Sequence, residues 1–153
     1  MDSTQKLIID QIDRRLRDFK SVRNPLVPGK GWIYSIRIAL KMSMRQLGNR
    51  LKITPQSVKE IEEREVNGSI TINSLREAGE ALDMKLFYGF IPKKEGIDKM
   101  IEERAFEIAK EIVLRTSQTM MLEDRENIQE RLDSAIREKA MEIKNTMPKY
   151  LWE

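Results

Sequence analysis

Three observations predict a mainly α fold with one short β-strand. Apolar residues recur at helical spacing over most of the 153 residues. Between residues 42 and 64, two short helices with capping signals are joined by a tight turn, and only residues 84–92 alternate in the manner of a strand. The expected order is a basic amphipathic helix with its linker over residues 1–30, a helix-turn-helix bundle over 31–83, the strand over 84–92 and a helical region over 93–153.

In the first segment, Ile8, Ile12, Leu16 and Phe19 form a stripe over residues 4–22, with Arg14, Arg15, Arg17 and Lys20 around them. Residues 24–31, NPLVPGKG, hold two Pro and two Gly, which is connector chemistry. Four helices follow at short intervals: 32–40 (Ile33, Ile36, Leu40), 44–51, 55–64 and 72–82 (Leu75, Ala78, Gly79, Leu82). The run MKLFYGFIP then places Met84, Leu86, Tyr88 and Phe90 on one face of a strand with no second strand to pair with. Pairing with the same strand of a second copy, or with a partner protein, satisfies such a strand, and of the two a homodimer through Leu86, Tyr88 and Phe90 is expected. Residues 97–145 are helical again, on the stripes Ile97, Ile101, Ala105, Ile108, Ile112 and Ile128, Leu132, Ala135 or Ile136, Ile143. A break near residues 117–124, with Asp124 as a cap, folds the second helix back on the first, with their stripes buried against each other, a dimer mate or another protein.

Composition narrows the chemistry. The chain has neither Cys nor His, which removes disulfides, thiolate and imidazole metal ligands and the commonest general base. No apolar run approaches the roughly 20 residues that cross a bilayer, and a soluble cytoplasmic protein is expected. Residues 1–60 carry a net charge of +8 and residues 61–153 a net charge of −5. Such asymmetry points to a polyanionic partner for the first half.

The helix-turn-helix resolves residue by residue. Ser43 caps the first helix, Leu47 and Leu51 point inward, and Gly48 permits a close crossing. Thr54 caps the second helix, Pro55 fits its first turn, Val58 and Ile61 are its buried side, and Ile53 plugs the turn. That leaves Gln56, Ser57, Lys59 and Glu60 outward at the end that enters a DNA major groove in such motifs. Gln pairs with adenine, Lys with guanine or phosphate, Ser with either, and Glu accepts from cytosine. Arg37, Lys41, Arg45, Arg50, Lys52, Thr54 and Arg64 are the expected phosphate contacts.

These stretches resemble the Cro/phage-repressor type of helix-turn-helix domain. GWIYSIRIALKMSMRQLGNRLKITPQSVKEIEE, ITINSLREAGEALDMKLFYGFIP, SQTMMLED and the terminal PKYLWE extend the resemblance to the family called mobile mystery protein A. The resemblance implies a double-stranded DNA-binding regulator of its own operon, encoded beside a Fic-family protein as an antitoxin is beside its toxin. Lys52 departs from the usual Gly of the turn, which requires a left-handed non-glycine residue there. Met44 departs from a phosphate-clamping Gln, a role Arg45 can take. Inhibitory helices of Fic systems carry a Ser or Thr, three residues, then Glu; Thr119 and Glu123 match that spacing, with Asp124 where Gly or Asn is usual.

No catalytic residue, cofactor or metal is expected. Glu60, Glu62, Glu63 and Glu65 have the spacing of a solvated helix end, without a phosphate loop. The competing reading is an interaction module that masks a Fic-family partner without specific DNA reading.

Overall fold

A computed structural model describes residues 1–22, 27–117 and 125–153. The chain forms two compact units, Asn24–Tyr88 and a second assembled from Met1–Arg23 with Gly89–Glu153.

The first unit contains α2 (Trp32–Ala39), α3 (Met44–Leu51), α4 (Pro55–Asn67) and α5 (Ile72–Ala81), at nearly the expected boundaries. Its core is Ile33, Leu47, Val58, Ala78 and Leu82, with Ile36, Met42, Met44, Leu51, Ile53, Ile61, Ile70 and Leu75 packed on it. Leu40, expected in the stripe of α2, is 51% exposed. The α2 helix turns Arg37 into the bundle instead, where the guanidinium finds a buried carboxylate.

Helix α2 starts on Gly31, at φ +84°, where a Cβ would lie 2.9 Å from the Glu65 carboxylate. That carboxylate accepts from the backbone N–H of Trp32 (2.6 Å) and Ile33 (2.8 Å), satisfying two of the donors that a helix start leaves orphaned. Glu65 is therefore a cap, correcting the expectation of a solvated helix end.

The second unit joins both ends of the sequence: α1 (Ser3–Arg17), α6 (Ile97–Ser117), α7 (Arg125–Thr146) and a 3-10 turn at Lys149–Trp152. Its core is Ile9, Ile101, Ala105, Ile108, Ala109, Ile136, Ile143 and Leu151. Lys144, late in α7, reaches Asp98 (3.0 Å) and Glu102 (3.6 Å), early in α6, so the two helices run antiparallel, as the sequence led us to expect. Of the alternatives Ala135 and Ile136, Ile136 is the buried one.

Helix α1 departs from expectation twice. It ends at Arg17, followed by a 3-10 turn at Lys20–Val22, and it buries Ile9 while Ile8 and Ile12 stay exposed. The cause is Asp13, which accepts from the backbone N–H of Ile97 (2.7 Å) and Asp98 (3.2 Å) and so caps α6. Facing Asp13 to α6 brings Ile9, one turn earlier, onto the core. The N-terminal helix thus belongs with the C-terminal helices and is not a separate region.

Among the described residues there is no strand. Residues 85–92 run without helix or ladder, so the expected strand is not formed within the chain. Its fourfold apolar face is also incomplete: Met84, Tyr88 and Phe90 are exposed and only Leu86 is half-buried. No helix of the described residues is long and apolar enough to cross a membrane.

Candidate nucleic-acid interface

The turn between α3 and α4 is built by local chemistry. Ser43 Oγ accepts from Gln46 N–H (3.1 Å) while the Gln46 side chain accepts from Ser43 N–H (2.8 Å), closing a reciprocal capping box on α3. At its other end Lys52 is left-handed, φ 57° and ψ 41°, as its place in the turn demanded. A Cβ on Gly48 would stand 2.7 Å from the Ile53 carbonyl, so the close approach allowed by Gly48 is that of the turn's own backbone. Met44, where a polar clamp is usual, packs against the core.

An L-residue pays for the left-handed region through its Cβ, about 1–2 kcal/mol. Lys52→Gly is therefore expected to stabilise the chain by roughly 0.5–1 kcal/mol, after the extra freedom of glycine in the unfolded chain is set against that relief. Thermal melting checks this: a rise of a few degrees is expected, and an unchanged or lowered midpoint would contradict it.

Thr54 caps α4, accepting from Ser57 N–H at 3.1 Å, and its hydroxyl also meets the Ser57 hydroxyl at 2.9 Å. Both hydroxyls are thereby engaged, and Ser57 is only half exposed. Gln56, Lys59 and Glu60 are fully outward on the first turns of α4, with Val58 and Glu62 on the buried side. Lys59 pairs loosely with Glu63 (4.0 Å) and Arg64 with Glu60 (3.8 Å), both exposed i,i+4 contacts of small energetic consequence.

The expected phosphate contacts divide. Lys41, Arg45 and Lys52 are exposed cations. Arg50 is exposed too, but donates to the Ala81 carbonyl (3.1 Å) at the end of α5. Arg37 is the clear correction: only 4% exposed, it donates to both carboxylate oxygens of Glu62 (2.6 and 3.1 Å) and to the Met42 carbonyl (3.0 Å). The hydrogen bond to Glu62 raises the Arg37 pKa above its ordinary value. Arg37 aligns α2 with α4 and does not reach a ligand. Thr119 and Glu123 lie outside the described residues, as does the cap expected of Asp124.

With Arg37 withdrawn, residues 38–59 still hold Lys41, Arg45, Arg50, Lys52 and Lys59 and no carboxylate. Redistributed over the two units, the whole net charge of +3 falls in Asn24–Tyr88, and the other unit is neutral. The basic character seen in the first sixty residues is thus concentrated on α3, the turn and the start of α4. Comparison with family models, curated proteins and solved structures returns no match.

Proposed function

We propose that the chain is a sequence-specific DNA-binding transcriptional regulator, with α4 as the reading helix. The observation that carries this reading is the capped α3–turn–α4 element, which holds Gln56 and Lys59 outward within residues 38–59, a stretch of five cations and no carboxylate, with Glu60 outward immediately after it. Gln56 and Lys59 are the base-reading pair, Glu60 the cytosine acceptor, and Lys41, Arg45 and Lys52 hold the phosphates. Ser57 contributes through the cap it shares with Thr54. On the resemblance to mobile mystery protein A, the target is the chain's own operator and the operon partner a Fic-family protein, with the chain as its autorepressing cytoplasmic antitoxin.

Gel-shift titration against the DNA upstream of its own reading frame tests this. Wild type is expected to prefer that DNA over random duplex at moderate salt, where unspecific binding by basic residues is weakened. Gln56→Ala is expected to lose about tenfold or more in operator affinity and little on random DNA, whereas Lys52→Ala weakens both alike. Equal affinity of wild type for operator and random duplex would overturn the reading.

A second reading is a module that masks a partner protein without reading DNA. It is favoured by the size of the second unit, Met1–Arg23 with Gly89–Glu153, which contains none of the cations above. Lys59→Glu separates the two, since it abolishes operator binding in a regulator and leaves partner affinity intact in a masking module.

A further inference from the structure

Helices α6 and α7 border a hollow of about 670 Å³ on the second unit, a volume in the range of sites for small organic molecules. Its apolar part is one helical turn long. Phe106 stands on α6, with Ala140 and Met141 across from it on α7, and Phe106 is 46% and Met141 65% exposed. One turn away along the same faces every residue is charged: Glu102, Glu103 and Lys110 on α6, Arg137 and Lys144 on α7. A docked helix needs apolar anchors over two turns or more. This floor matches a compact molecule instead.

The charges around the floor set the sign of that molecule. Glu102 accepts from Lys99 (3.0 Å) with Lys144 at 3.6 Å, Glu103 is paired with Lys94, and Glu107 is paired with Arg104 (3.2 Å). Every acid of the lining and three of its four cations are thus matched within the protein. Arg137 is the fourth cation, exposed and without a hydrogen bond or ion pair to any described residue.

We propose that this hollow binds a small amphipathic carboxylate, its head held by Arg137 and its aliphatic or aromatic body by Phe106, Ala140 and Met141. A guanidinium takes a carboxylate through two parallel hydrogen bonds. Arg137 and Met141 are one turn apart on α7, about 6 Å along its axis, so a single short molecule meets both. An amine of the same shape finds no unmatched acid in the lining. The site belongs to the second unit alone and does not rest on DNA reading.

Calorimetric titration of the full chain tests this with decanoate, kept below its micellar concentration, against decyltrimethylammonium, a cation with a chain of like length. Decanoate is expected to bind saturably, at one site per chain, and about tenfold or more tightly than the cation. Arg137→Gln is expected to lose about tenfold in decanoate affinity with an unchanged circular dichroism spectrum, since this side chain holds no described part of the fold. Met141→Glu, which sets a second carboxylate beside the head, should weaken binding as well. Arg131→Gln removes an exposed cation of α7 outside the lining and should leave binding unchanged. Absence of saturable decanoate binding, equal affinity for the two head groups, or equal effects of Arg137→Gln and Arg131→Gln would each overturn the proposal, whatever the outcome of the gel shifts.

Discussion

Glu62→Ala is expected to destabilise the chain by about 3–5 kcal/mol, more than any change on the outward face of the same helix. Glu62 and Arg37 are both buried, their side chains 7% and 5% exposed, and joined at 2.6 Å. Truncating the acid leaves a guanidinium out of water with the Met42 carbonyl and the face of the Tyr34 ring, and no carboxylate, beside it among the described residues. A guanidinium keeps its proton at any working pH, so deprotonation offers no escape. Replacing both members, Arg37→Met with Glu62→Leu, should be far milder than either single change, because no charge is left behind. By contrast, breaking the exposed Lys59–Glu63 contact is expected to cost no more than about 0.5 kcal/mol. Urea unfolding followed by circular dichroism checks the order. A Glu62→Ala midpoint within error of wild type would show that the pair does not hold α2 to α4.

The turn was legible in the sequence because each of its parts is a local rule. Ser43 and Thr54 read as caps from their neighbours alone, Pro55 as a first-turn residue, and Lys52 as left-handed from its place after α3. The outward set followed from helical phase, and Gln56, Lys59 and Glu60 are where that phase puts them. Ser57 lies at the edge of that face, and the cap claims its hydroxyl.

What stayed hidden depends on partners far along the chain. Arg37 reads as one more surface cation until Glu62, twenty-five residues on, is brought beside it, and Glu65 reads as one more surface acid until α2 presents its first N–H groups. The membership of α1 rests on Asp13 meeting residues 84 and 85 positions later. Within α1 alone, Ile8 and Ile12 make as good an apolar stripe as Ile9 does, and only the cap on α6 decides the rotation. The strand failed for a related reason: alternation describes which face a side chain takes, while a strand also needs a neighbour, and none is found among the described residues.

Leu151→Ala is expected to cost about 2–5 kcal/mol. Three contacts hold Leu151 and Glu153 in place. The Leu151 side chain is fully buried among the apolar residues of α1, α6 and α7. The Arg104 guanidinium donates to the Leu151 carbonyl at 2.8 Å and to the Glu153 carbonyl at 2.7 Å. Removing the isobutyl group leaves a cavity in a core that counts eight buried residues among those described, where relaxation of the surrounding helices can recover little of it. Trp152, the larger neighbour, is 57% exposed, so Trp152→Ala should change stability by no more than about 0.5 kcal/mol. Denaturant unfolding of the two variants side by side separates burial from size. If the tryptophan variant proved the more damaged, the tail would be held by its outer face and not by the core.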